Sequence, residues 1–397
     1  MTTEIRSDPP DETGDFPAPL SRGKKILFSI ILAVVLLGVA EVALRIAFPR
    51  LAWSSARYLW DGGETLEPDR AEWPATYPKS AKGRHAYIEF DVPVSYNSDG
   101  FRGDDFDPSK GPVVIFGGDS TTAGHGIHYD DMFTTRIEAA LRERFGNMQL
   151  WNLGRSGSGP VVQALLLERI LDKYPSAEIA AVVLISSVST QRGAGNDLLD
   201  MQRNLPYLDG GRPESGSRKL SLRYMLRKSA VIHGAEALVA KWRRENIRMP
   251  RLENWDTLWD NMYRCLDHMR QSAEKRNAPF VVAFLAARPS ERSEDVEEVA
   301  QRYKRYLDEH QLTLIRCEPI LAKALRDKLY YYPIDGHINA IAHRYVADTI
   351  IPPLITLLES TNFHPPIPAT GPFQGPVADT PARCGDGRCC TPAASTR

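Results

Sequence analysis

Short runs of consecutive apolar residues alternate with longer stretches of helical periodicity through the middle of the chain. Val113–Phe116, Leu150–Asn152, Ala180–Ile185, Phe280–Leu285 and Leu312–Ile315 read as strands. Continuous apolar runs of this length fit strands covered on both faces. Between them, Phe133–Phe145 places Ile137, Leu141 and Phe145 on one helical face. Val161–Leu171, Trp255–Lys275, Asp295–His310 and Asn339–Leu358 also read as helices. Pro352-Pro353 should bend or break the last of these, because proline lacks an N–H and clashes with the preceding turn. Strands alternating with helices imply βαβ units and a parallel sheet, an α/β fold. Ligands of such sheets sit at the carboxyl ends of the strands.

The N-terminal pattern is different. No residue from Ile26 to Ala40 is charged, and the run continues through Glu41 and Arg45 to Phe48. A membrane span needs about 20 mainly apolar residues. This segment reaches that length if Glu41 and Arg45, four apart on one face, snorkel at the far interface. Arg22, Lys24 and Lys25 flank the near end and place the N-terminus in the cytoplasm by the positive-inside rule. The globular part then lies on the extracytoplasmic, periplasmic side. A cleaved signal peptide is the rival reading, but the acidic leader from Asp8 to Asp15 is atypical before one.

The remaining organisation follows. Residues 1–21 read as a disordered leader, 22–48 as the anchor and 49–108 as an irregular lead-in. Residues 109–361 form the α/β unit, with a basic insertion at about 201–251, and 362–397 form a disordered tail. Within the insertion, Leu222–Trp242 has helical apolar spacing. Its basic residues suit a cap over the crevice, a surface for anionic lipid or polysaccharide, or simply a solvated helix face.

With 49 Lys and Arg against 50 Asp and Glu, the chain lacks the basic excess of a nucleic-acid binder. Its five cysteines form no CxxC pair and no Cys/His ligand spacing, so neither a zinc site nor another cofactor is expected. Oligomeric state is not readable.

Candidate chemistry lies at the strand ends. The first strand runs directly into Gly117-Gly118-Asp119-Ser120, which lifts a serine into the crevice. A turn with a capping Ser or Asp would explain the same letters without chemistry. A serine hydroxyl becomes a nucleophile when a base takes its proton. Asp335-Gly336-His337, just before the final helix, supplies a base and an orienting carboxylate. His125 could line the pocket, and His343 suits packing or capping.

These blocks together resemble the SGNH (GDSL-type) hydrolase family, in particular its N-terminally anchored bacterial members. Val114–Gly124 resembles the first block, Asn152–Gly157 the second and Asp335-Gly336-His337 the last. Asn97–Gly103 resembles a lead-in common before the first block. The resemblance spans about residues 97–350 and implies a flavodoxin-like three-layer αβα sandwich with a mainly parallel five-stranded sheet, preceded by one transmembrane helix. It implies Ser120 as nucleophile, His337 as base and Asp335 as its orienting acid. The oxyanion hole would be the backbone N–H groups of Ser120 and Gly157 with a third-block amide. Asn196 matches that amide by type but lies late, and Gln191 or Thr190 sits nearer the usual spacing. The final block departs from the commoner Asp-x-x-His. The implied activity is ester hydrolysis or O-acyl transfer on an O-acyl, most plausibly acetyl, ester of an envelope glycan or lipid. The alternative is a catalytically silent anchored binding or assembly protein with the same fold.

Overall fold

The structure is a computed structural model. It describes residues 21–52, 57–61, 74–187, 195–208, 229–246, 255–285, 293–319 and 332–361. The leader, the tail, most of the lead-in between 53 and 73, and residues 209–228 of the insertion lie outside them.

Helix α1 (Arg22–Ala47) is apolar on every side and buries none of its residues within the protein. It is long and apolar enough to cross a membrane. A single turn of 3-10 helix, Pro49–Ala52, follows. The lead-in then forms regular structure where none is expected. Strands β1 (Arg57–Trp60), β2 (Lys82–Ala86) and β3 (Asp91–Ser95) make an antiparallel sheet in that order. Gly83 and His85 of β2 and Val92 and Val94 of β3 point inward, alternating with exposed Lys82, Arg84, Pro93 and Ser95. The alternation is brief, and its inward positions include a glycine and a histidine, so hydropathy alone does not expose it.

The main sheet contains β4 (Val113–Gly117), β5 (Gln149–Asn152), β6 (Ile179–Ser186), β7 (Phe280–Phe284) and β8 (Thr313–Arg316). The strand order is β5-β4-β6-β7-β8, and all four pairings are parallel. This is the 2-1-3-4-5 order of flavodoxin-like sheets, whose switch point lies beside the first strand. Every residue of β6 is buried, as expected for a central strand covered on both faces.

Two cores make the three layers. On one face, α2 (Phe133–Phe145) and the last helix, α8 (Ala340–Ser360), pack on Val114, Phe116 and Val183. On the other, α3 (Pro160–Lys173), α6 (Trp255–Glu274) and α7 (Ser293–Glu309) cover Ile115, Val182 and Phe284. The insertion contributes α4 (Gly195–Leu208) and α5 (Ala230–Asn246). The described part of the expected Leu222–Trp242 helix therefore begins at Ala230 and runs on to Asn246.

Helix α8 runs unbroken through Pro352-Pro353, so of the expected bend or break the break does not occur. Ala342, Val346, Ile350, Leu354 and Leu358 are fully buried along it, and that burial outweighs the amide bonds the two prolines cannot make. His343, in the first turn of α8, accepts a hydrogen bond on Nδ1 from the Phe133 amide at the start of α2 (3.1 Å) and stacks on the Phe133 ring. It thus acts as a packing and capping residue.

Burial makes His343 and His85 hard to protonate. It holds His343 down at about 3 and, with the nearby positive groups, His85 at about 2, against an ordinary 6.5. At these two positions the unfolded chain therefore binds about two more protons than the folded one below pH 6.5. Their contribution to stability should be level above that pH and fall below it by up to about 2.7 kcal/mol per pH unit. Denaturant titrations between pH 7.5 and about 5 measure the slope, and His343→Gln should reduce it by one proton's worth.

Candidate active site

Strand β4 ends at Gly117, and the chain turns sharply through Gly118-Asp119-Ser120. Gly118 has no room for a side chain, since a Cβ there would lie 2.0 Å from Thr122 Oγ1. Asp119 braces the turn by accepting hydrogen bonds from the Thr121 amide (2.8 Å) and the Ser187 hydroxyl (2.7 Å). The capping role that could have explained Gly-Asp-Ser without chemistry therefore falls to Asp119. Ser120 Oγ instead lies 2.8 Å from His337 Nε2.

His337 lies in the loop before α8, which packs along α2. The His343–Phe133 bond fastens the starts of these two helices together. His337 Nδ1 lies 2.5 Å from Asp335 Oδ1, and the same oxygen accepts the His337 amide. Gly336 between them has φ +90°, a conformation that side chains disfavour. One intervening residue thus suffices for the acid to reach the ring. Burial opposes ionisation of Asp335, but hydrogen bonds and charge from His125 and His337 prevail and hold its carboxyl far below the usual range.

Two further residues shape the loop. Glu89, in the turn between β2 and β3, accepts hydrogen bonds from the Ile334 and Asp335 amides (2.9 and 2.6 Å). His125 stacks on His337 with ring centroids 3.9 Å apart and places Nε2 3.4 Å from Asp335 Oδ2. Burial pushes the His125 pKa down, against the opposing hydrogen bond to Asp335. Sequence reasoning placed His125 only at the pocket wall. It missed Glu89 entirely, because nothing local links residue 89 to residue 335.

The Asn97–Gly103 segment serves as a brace. Asn97 Oδ1 accepts the Asp99 and Phe101 amides and folds the turn. The buried Arg102 then donates to the Gly124 and Ile127 carbonyls in the loop that follows Ser120. The second block is locked in a similar way. Asn152 donates to the Thr122 carbonyl (2.8 Å) and accepts the Gly154 amide (2.8 Å). Gly154 sits so close to the Ser120 turn that a Cβ would lie 2.3 Å from the Ala123 nitrogen. Gly157 has φ +74° and faces open space, so glycine there serves conformation rather than packing.

The third block is the least determined. Asn196 is the second residue of α4, one turn before Asp200, whose carboxylate accepts the Val161 amide at the start of α3 (2.7 Å). Helix α4 is thereby fixed beside the loop that carries Gly157. The Asn196 side chain, Gln191 and Thr190 lie outside the described residues.

His125, Asp335 and His337 present ligand-type atoms within 4.8 Å of one another. Their arrangement does not suit metal ligation. The two imidazoles stack nearly parallel, 20° apart, so their lone pairs do not converge on one point, and both His337 nitrogens are already engaged.

No family model and no curated protein matches this chain. Among solved structures, it is similar to a member of the lipolytic protein G-D-S-L family from Veillonella parvula, at 15% identity and TM-score 0.36 over 60% of this chain and 94% of that one. It is similar to TesA at 15% identity and TM-score 0.38, over 62% and 99% of the two chains. It is also similar to the acetyl xylan esterase AlAXEase at 18% identity and TM-score 0.35, over 60% and 97%. These likenesses are distant.

Proposed function

We propose that this chain is a membrane-anchored serine ester hydrolase of the SGNH type. The observation that carries the reading is the unbroken hydrogen-bonded series Ser120 Oγ, His337, Asp335. Ser120 attacks the acyl carbon while His337 takes its proton and then returns it to the leaving alcohol. Asp335, kept ionised, holds the ring tautomer and stabilises the imidazolium. The Ser120 and Gly157 amides, completed by Asn196, receive the oxyanion. The acyl-serine is then cleared by water, or by a sugar hydroxyl in an O-acyltransferase variant of the same cycle. The substrate class is an O-acyl ester, an acetyl ester in particular, of an envelope glycan or lipid. Supporting this, α1 holds the site at a membrane surface, and Arg22, Lys24 and Lys25 favour an extracytoplasmic α/β unit. The working units are the anchor at 22–48 and the hydrolase unit at 109–361. The sheet formed within 49–108 acts as a brace for that unit.

Ser120→Ala should lower ester cleavage by roughly 10⁴-fold or more while circular dichroism is unchanged. It should also abolish labelling by a fluorophosphonate probe. Undiminished cleavage of short-chain esters by the variant would sink the reading.

Glu89→Gln and His125→Gln should each lower kcat by about 10- to 100-fold through a displaced Asp335 loop, with KM nearly unchanged. A KM rise at constant kcat in steady-state assays would instead make these residues substrate contacts.

A phosphatase reporter fused after Phe48 should be active only outside the cytoplasm. Activity of a cytoplasm-specific reporter at the same junction would reverse the topology.

A further inference from the structure

Helix α5 turns the usual amphipathic arrangement around. Its small residues Ala230 and Ala237 are buried together with His233, whereas Ile232, Leu238, Val239 and Trp242 are 37%, 67%, 48% and 56% exposed. Val239 and Leu238 lie three and four positions before Trp242, and Ile232 lies two turns before Val239, so the four share one stripe. A contiguous apolar stripe facing outward marks a contact surface, and the position of α5 in the molecule indicates what covers it.

The first turn of α5 is bonded to the anchor. Glu41 of α1 accepts hydrogen bonds from the Ser229 hydroxyl (2.7 Å), the Ala230 amide (2.9 Å) and the Val231 amide (3.0 Å), and pairs with Arg45 (2.6 Å). A carboxylate at a helix N-terminus satisfies its free amides and its dipole. Glu41 therefore does more than snorkel. The uncharged run from Ile26 to Ala40 gives only about 22 Å of helix, against about 30 Å of hydrocarbon. Lys24 and Lys25 can reach outward at the near end. A bilayer that covers this run thus sets Glu41 at the boundary between acyl chains and headgroups. The start of α5 is held at that same level. Beyond Glu41, Val42, Ile46 and Phe48 of the α1 end are also largely exposed.

We propose that α5 lies in the headgroup layer of the bilayer that α1 spans, with Ile232, Leu238, Val239 and Trp242 turned toward the acyl chains. Lys241 and Arg243, beside Trp242, supply cations for anionic headgroups. His233, on the opposite side of α5, lies with Nε2 3.3 Å from the Tyr87 hydroxyl. Tyr87 opens the turn whose Glu89 holds the Asp335 loop. The domain that carries the site therefore rests directly on the lipid surface. The proposal depends on α1 being a span and is independent of the esterase reading.

The test uses the full-length chain in vesicles of phosphatidylcholine and phosphatidylglycerol with brominated acyl chains. Resistance to alkaline extraction first establishes the span. Tryptophan emission should then be quenched most by bromines about 5–10 Å below the headgroup boundary, and Trp242→Phe should remove that quenched component. Leu238→Asp with Val239→Asp, which keeps Trp242, should lift the helix and lose the shallow quenching. Equal quenching of wild type and Trp242→Phe in extraction-resistant protein would overturn the proposal. That result includes the case in which a second copy or another segment of the chain covers the stripe. Extraction of the chain would overturn both the proposal and the span, while fluorophosphonate labelling of Ser120 would report separately on the esterase reading.

Discussion

The hydrogen bond between Ser120 and His337 joins residues 217 positions apart. A contact of this kind is lost once its ends drift out of hydrogen-bond range or its donor angle falls below about 120°. Much of the structure can be understood as the means of holding those ends still. On the serine side, a crowded glycine, an aspartate-braced turn and the buried Arg102 leave the loop after β4 no freedom. On the histidine side, Asp335 fixes the ring, Glu89 fixes the backbone beneath it and His125 fills the space against it. The packing of α8 on α2, secured by His343 on the Phe133 amide, connects the two sides.

This arrangement gives the antiparallel sheet of the lead-in a purpose. It is peripheral to the main α/β layers, yet its turn carries Glu89, and its inward face places His85 edge-on to His125 with ring centroids 4.4 Å apart. The same turn touches α5 through Tyr87. Helix α1, the insertion helix and the Asp335 loop are thus joined by a short series of direct contacts, although they lie far apart in the chain.

The main layers were legible in the sequence because each strand and helix has a hydropathy signature of its own. Val113–Phe116 and Ala180–Ile185 are continuous apolar runs, and Phe133–Phe145 has one apolar face. The structure places elements there within a residue or two. The strands of the lead-in were not legible, because in four- and five-residue strands with Gly83 and His85 turned inward the apolar alternation is too brief to stand out. A bend or break at Pro352-Pro353 was inferred from local propensity, and burial of one helix face keeps the helix unbroken there.

Taken alone, the sequence determined the element types, their order and the chemical identity of the Ser120, Asp335 and His337 cluster. Those properties reside in runs of neighbouring residues. Only the tertiary structure decided that His125 shares Asp335 with His337, that Glu89 clamps the loop between them and that Glu41 of the anchor caps α5. Each of these is a contact between segments tens to hundreds of residues apart. Which segments meet depends on how helices and sheets pack to bury their apolar faces, and no local run of residues encodes that.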